Sequence, residues 1–315
     1  MDPKTFIADI LDDLMRQVLE DLKKNGVANK ATKGPNKERL GVSLLLKNPR
    51  ARLSNSLHRG RAFSTLGESC WYLSGSEDLE FIRYYVPAYE RFAQSGLLRG
   101  AYGPRLTDQL NAVVGILRSK PNTRQAVICL LKAEDVRDAE SKDKPCTVSL
   151  QFFIRENRLH LLTSMRSNDA YLGLPHDIFF FTFLQEYVAS LVGMALGLYQ
   201  HNVGSLHLYK KDLKKAEAFI SEGYQTTKAY MRKMPAITSP EILNAFLRAE
   251  ESIRMGVGSD NQLTNIGSDY WDELITLLRI YKASRSGNRA RAKSLVKNLN
   301  TPIFCNIVEA KLLHE

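Results

Sequence analysis

A cysteine placed before one strand and an arginine placed at the end of the next can form an activated nucleophile. This chain carries such a pair in Pro145-Cys146 and Arg166-Ser167. Between them, the runs TVSLQFFI and LHLLTSM alternate in strand fashion around the polar turn Arg155-Glu-Asn-Arg158, so an antiparallel hairpin would set the two facing each other. A guanidinium beside a thiol lowers its pKa and makes it a better nucleophile. Taken alone, the cysteine also fits a small buried hydrophobe. Cys70, Cys129 and Cys305 are scattered, with no CxxC and no His/Cys cluster at ligand spacing. Neither a disulfide framework nor a metal site is therefore indicated, and a reduced, cytoplasmic setting is expected.

Further strands are predicted over 126–131 and within 41–57, where Val42, Leu44 and Leu46 alternate before Asn48-Pro49 ends the run. Apolar residues three and four apart predict helices over 1–25, 63–73, 79–92 and 110–117. Residues 26–40 read as an exposed basic loop without a hydrophobic period. The stretch from Ile178 to Leu198 is apolar nearly all round, and Thr182, Gln185, Glu186 and Ser190 favour the buried centre of a globular protein over a membrane span. The first 22 residues mix acids and bases among apolar residues, unlike the order of a signal peptide. After Tyr209 the pattern is helical almost throughout.

With 315 residues, 44% hydrophobic and 25% charged, the chain can bury a full core, and it has no fixed-period repeat or low-complexity block. Disorder, fibres and solenoids are excluded on that basis. The formal charge of +10 points to anionic partners, phosphate first among them. Lys282, Arg285, Arg289, Arg291, Lys293 and Lys297 form an acid-free stretch that reads as a solvated helix face, since no aromatic interleaving marks it for nucleic acid.

Four segments, GESCWYLSG (67–75), PCTVSLQFF (145–153), RSNDAYLGLP (166–175) and GSLHLY (204–209), together resemble the thymidylate synthase family over about residues 60 to 210. The resemblance implies a single α/β domain with a mixed, largely antiparallel sheet packed with helices, a core over about 40–210 and a mainly helical extension over 211–315. It also implies a sheet-to-sheet homodimer. The implied activity is one-carbon transfer to C5 of a pyrimidine nucleoside 5′-monophosphate, with 5,10-methylenetetrahydrofolate as co-substrate and no metal. C5 is a poor nucleophile until a thiolate adds at C6, and Cys146 takes that role. Glu68 matches the glutamate that organises water and relays protons, and Tyr102, in AYGPR, resembles the family's TyrGly motif. Arg166 and Ser167 match phosphate-binding residues, and Arg124 matches an arginine contributed to the phosphate across the dimer. His207 and Tyr209 match the sugar-binding pair, while Asp169, Leu172, Gly173 and His176 match the folate side.

Several positions depart from the family. Gln125 stands where a second phosphate arginine is usual, which leaves Lys33, Arg39 or Arg50 to compensate. The asparagine that reads uracil is here Asp177, in LGLPHD. An aspartate accepts from cytosine N4 and, when protonated, donates to N3, the reverse of what uracil requires. The same change marks the family's cytidylate and deoxycytidylate hydroxymethylases. The shielding tryptophan is missing from YYVPAYER (84–91), Thr147 replaces the usual histidine, and His176 replaces an apolar residue. A wetter pocket favours capture of water over hydride. The ending AKLLHE lacks the family's apolar tail, and Ser205 replaces the common aspartate, leaving ribose or deoxyribose open. The expectation is C5 hydroxymethylation of CMP or dCMP. The alternatives are a methylase of dCMP or dUMP, and a catalytically silent nucleotide or nucleic-acid binding homologue.

Overall fold

The computed structural model describes residues 3–31, 33–237, 239, 241–257 and 266–314. The chain opens with β1 (Lys4–Ala8), α1 (Leu11–Asn25), β2 (Val27–Ala31) and β3 (Gly34–Leu46). Helices α2 (Ala62–Leu73), α3 (Leu79–Tyr85) and α4 (Tyr102–Ser119) follow, then β4 (Val127–Cys129) and α5 (Ala133–Arg137). The centre is β5 (Thr147–Arg155), β6 (Arg158–Asp169), α6 (Gly173–Leu191) and β7 (Ala195–Tyr209). The remainder is helical in pieces: α7 (Leu213–Ser221), α8 (Glu241–Met255), α9 (Asp269–Arg285), α10 (Arg289–Val296) and α11 (Pro302–His314).

Seven strands make one mixed sheet in the order β1-β3-β7-β6-β5-β4, with β2 paired to β3. This is the α/β architecture expected, parallel and antiparallel pairs being packed with helices. β5 and β6 form the hairpin, and Glu156 and Asn157 take φ of 51° and 56°, as a tight two-residue turn requires. β6 and β7 run parallel, joined by α6. Along the strands Val42, Leu44, Leu150, Phe152, Leu161, Thr163, Tyr199, His201 and Val203 are buried under the helices, whereas Leu45, Phe153, Leu162 and Gln200 on the opposite face are only half-buried.

Helix α6 is apolar all round because it is surrounded by protein. Its buried polar side chains tie it to the surrounding strands: Gln185 Nε2 donates to the carbonyls of Leu159 (2.9 Å) and Leu198 (3.0 Å). Glu186 binds Arg50 and the fully buried Arg52. Among the described residues no helix is long and apolar enough to cross a membrane.

The structure corrects several boundaries. The first 25 residues are not one helix, since β1 precedes α1 and pairs in parallel with β3. Residues 26–40 are not a loop; β2 and β3 form a hairpin whose long arm pairs with β7 from Asn36↔Tyr209 to Leu46↔Tyr199. Ladder bonds to a distant strand, rather than a hydrophobic period, hold this polar segment. Helix α4 begins at Tyr102, and the helix over 79–92 ends at Tyr85, before the 3-10 turn Pro87–Phe92. The apolar run beginning at Ile178 leaves its helix at Leu191 and enters β7, a strand absent from the sequence-based assignment.

Residues 222–237 are not helical either. They form a strap tied by Met231 N to Arg50 O (3.1 Å), Met234 N to Glu186 Oε1 (3.0 Å) and Ile237 N to Ser190 Oγ (2.8 Å). The expectation about the final residues concerns Glu315 and the side chains of 312–314, which lie outside the described residues, as do 258–265 of the helical remainder.

Candidate active site

The β5–β6 hairpin does bring Cys146 and Arg166 together. Arg166 N donates to Cys146 O (2.9 Å), and its guanidinium donates to the carbonyls of Pro145 (Nε, 2.9 Å) and Lys144 (Nη2, 3.1 Å). The thiol is nonetheless not lowered. Burial pushes it above its ordinary value; Arg166 and Lys33 pull it down, while Asp177 and Asp143 push it up. Desolvating a thiolate costs more here than the nearby cations return.

Asp177 lies on α6, one turn in from Gly173. Burial raises its carboxyl well above the usual range, reinforced by Glu68 and Asp169, so the neutral acid is favoured over the carboxylate. Asn168 Nδ2 donates to its Oδ2 (2.7 Å). Asn168 Oδ1 faces His201 Nε2 (3.2 Å), whose Nδ1 faces the Tyr199 hydroxyl (2.7 Å). Burial brings His201 to about 3 and keeps it neutral. With Asn168 Nδ2 turned to Asp177, its Oδ1 is left to accept from Nε2–H of His201, the tautomer in which Tyr199 donates to Nδ1. Gly173 permits the close approach, because a Cβ there would stand 3.2 Å from Asn168 Nδ2.

Glu68, on α2, is buried among tyrosines. Tyr89 donates to its Oε1; the Tyr72 hydroxyl, 3.3 Å from the same oxygen and 2.9 Å from Tyr89's, can donate to either. Desolvation raises Glu68 to about 7 against the opposing effect of these bonds. Tyr72 stacks on Tyr102 with centroids 4.8 Å apart, and the Tyr102 hydroxyl accepts from Thr147 N (3.3 Å) and Oγ1 (3.0 Å). Thr147 thus anchors Tyr102 beside the cysteine.

Ser167 and Asp169 leave the end of β6 beside Ser205 and His207 on β7. Asp169 Oδ1 accepts from Tyr171 N (2.9 Å) and Leu172 N (3.0 Å), folding the chain into α6. His207 and Tyr209 meet edge to face at 4.9 Å. Ser205 donates to Glu38 Oε2 (2.6 Å). His176 lies between Ser64 Oγ (3.0 Å) and Leu172 O (3.1 Å), and burial with Arg59 and Arg61 lowers it to about 3.

The three basic candidates differ in their partners. Arg39 is held by Asp21 and Arg50 by Glu186, whereas Lys33 reaches in from the β2–β3 hairpin over the Phe92 ring (4.3 Å). Burial lowers its ammonium, Cys146 and Asp169 oppose that, and Arg91 and Arg166 add to it, so Lys33 shares the electrostatic environment of the hairpin mouth. Arg124 is exposed at the foot of β4, its carbonyl accepting from Gln151 Nε2 (2.9 Å) on the uncovered sheet face. Among the described residues its contacts are with the foot of the sheet and not with the hairpin mouth.

Asn168, His201, Tyr72, Tyr89 and Arg59 were not legible as site residues. Only two carried a signal: Asn168 lies inside the RSND motif, and Tyr72 stands four residues after Glu68 on one helix face. Arg59 is buried over the Tyr171 ring (5.0 Å), with its Nε unpartnered among the described residues.

The family model described as thymidylate synthase matches residues 56–242. A deoxyuridylate hydroxymethyltransferase of Pseudomonas phage M6 is 32% identical over 161 residues, covering 49% of this chain and 46% of the relative. A protein of the same description from Bacillus phage SP01 is 28% identical over 264 residues, covering 77% and 67%. The thymidylate synthase of Bacillus phage phi3T is 28% identical over 155 residues, covering 45% and 55%. The chain thus spans about half the length of most of these relatives.

Proposed function

Because this chain belongs to the thymidylate synthase family, we propose that it hydroxymethylates C5 of a cytosine nucleoside 5′-monophosphate, CMP or dCMP. The observation that carries the reading is the 2.7 Å hydrogen bond from Asn168 Nδ2 to Asp177 Oδ2, at a buried carboxyl that lies close to Glu68 and Cys146 and whose neutral form burial favours. Because Asn168 donates to Oδ2, that oxygen is an acceptor and the carboxylic proton belongs on Oδ1. Such a group donates to cytosine N3 and accepts from N4, and uracil would leave it facing a donor at N3 and an acceptor at O4.

In this reading Cys146 adds to C6 as Asp177 stabilises the charge that develops towards N3. Arg166, Ser167, Lys33 and Arg124 of a second copy hold the phosphate, and His207 and Tyr209 hold the sugar. The second copy would stack on the half-buried sheet face that carries Leu45, Phe153 and Leu162, next to Gln151 and Arg124.

5,10-Methylenetetrahydrofolate supplies the one-carbon unit to C5. The residues fit it: Leu172 offers an exposed apolar edge beside Asp169, Gly173 and His176, and Arg59 with Arg61 offers cationic groups for a carboxylate tail. Glu68 then takes the proton of the water captured by the C5 methylene, and Cys146 departs.

A second reading, hydroxymethylation of a uracil nucleotide, is favoured by the names of the phage relatives. Incubation with methylenetetrahydrofolate and CMP, dCMP or dUMP separately, following product mass and loss of the C5 hydrogen, tests both. Hydroxymethylated cytosine nucleotide is expected. Turnover of dUMP alone would replace the reading with the second, and a methyl product on any base would overturn hydroxymethylation.

A further inference from the structure

Tyr89 lies in the turn Pro87–Phe92, outside the four segments that carry the family resemblance. Its ring stands edge-on to Trp71 (5.3 Å), its hydroxyl is 2.9 Å from that of Tyr72, and it donates to Glu68 Oε1. The hydrogen bonds Glu68 accepts from tyrosine converge on this one oxygen. Among the described residues Oε2 takes none. Two phenols therefore hold one oxygen of a carboxyl that lies close enough to Asp177 to raise it, and Tyr72, which holds it, stacks on Tyr102.

We propose that Tyr89 is a positioning residue that aims Glu68 Oε2 at the water which captures the C5 methylene, and so commits the intermediate to the hydroxymethyl product. This rests on the hydroxymethylation reading. The step balances without an oxidant or reductant. Water oxygen bonds to the exocyclic carbon while its proton passes to Glu68. The electron pair of the exocyclic double bond moves into the ring, and re-forming C5=C6 expels the Cys146 thiolate from C6. Earlier steps, thiolate addition and loss of the C5 hydrogen, do not require Oε2 to be aimed at that water. Tyr89 therefore acts on the fate of the intermediate more than on its formation.

The test compares wild-type enzyme with Tyr89→Phe and Tyr72→Phe, counting C5 hydrogen released and hydroxymethyl product formed, with a small thiol present to trap the methylene. Wild type should couple the two one to one. Losing a hydrogen bond to a charged group is worth about ten- to hundredfold. Tyr89→Phe should lower product by that factor while C5 release falls less, the difference appearing as a thiol adduct of the nucleotide. Tyr72→Phe, which leaves the Tyr89 contact, should uncouple less.

Tight coupling in Tyr89→Phe, or an equal fall in both readouts, would overturn the proposal. An unchanged thermal midpoint keeps a folding defect from producing either result. A methyl product in the wild-type arm would instead show that the hydroxymethylation reading itself had failed.

Discussion

Asn168 and Asp177 meet at 2.7 Å across the turn that joins β6 to α6, and the chain spends a glycine, Gly173, to let them do so. Because the amide of Asn168 is itself in contact with His201, the carboxyl of Asp177 is positioned before any nucleotide arrives. Preorganised polar groups of this kind discriminate by leaving the wrong ligand's groups unpaired.

Asp177→Asn is expected to move the kcat/KM ratio from cytosine towards uracil nucleotides by about a hundredfold or more. Steady-state kinetics on CMP, dCMP and dUMP measure it. An equal loss on all three would show that Asp177 does not read the base.

Burial raises Glu68 from 4.5 to about 7, so the folded state keeps a proton that the unfolded chain has released. Stability from this group is therefore complete below the unfolded value and falls as pH rises from about 4.5 to about 7, then levels off. Glu68→Gln should raise the thermal midpoint at pH 8 and leave it nearly unchanged at pH 4.5. A pH-independent effect would contradict the assignment.

The thiol of Cys146 is raised by burial and pulled down by Arg166 and Lys33. Alkylation of Cys146, followed peptide by peptide, should thus reach its midpoint above the ordinary thiol range, and Arg166→Met or Lys33→Met should push it higher still. Cys146→Ala should abolish turnover.

A Cβ on Gly67 would fall 2.1–2.5 Å from the Tyr85 ring, whose hydroxyl bonds Glu250 on α8 (2.6 Å). Gly67→Ala should cost about 1–3 kcal/mol in urea unfolding, as overpacking does. Adding Tyr85→Leu should recover part of the loss, and full additivity would disprove the clash.

If Arg124 serves a neighbouring copy, Cys146→Ala and Arg124→Ala proteins should complement each other. Random re-pairing of equal amounts leaves about a quarter of the sites intact, so that much of wild-type activity should return on mixing. No recovery would place Arg124 outside the shared site.

Read alone, the sequence determined what depends on short contiguous patterns: the β5–β6 hairpin, helix α2 with Glu68, and the motifs that hold Cys146, Arg166, Asp177 and His207. The hairpin and the helix are decided by neighbours along the chain, so periodicity and turn chemistry suffice for them, whereas the motifs were read from their resemblance to a family. Only the tertiary structure decided what depends on distant partners. The polar segment 26–40 became a hairpin because β7 supplied its ladder, and Lys33 thereby reached the hairpin mouth while Arg39 and Arg50 were taken by carboxylates. Protonation followed the same rule. The cation beside Cys146 was legible in the sequence, but the burial that outweighs it was not, since desolvation is set by everything packed around a group and by nothing in its own motif.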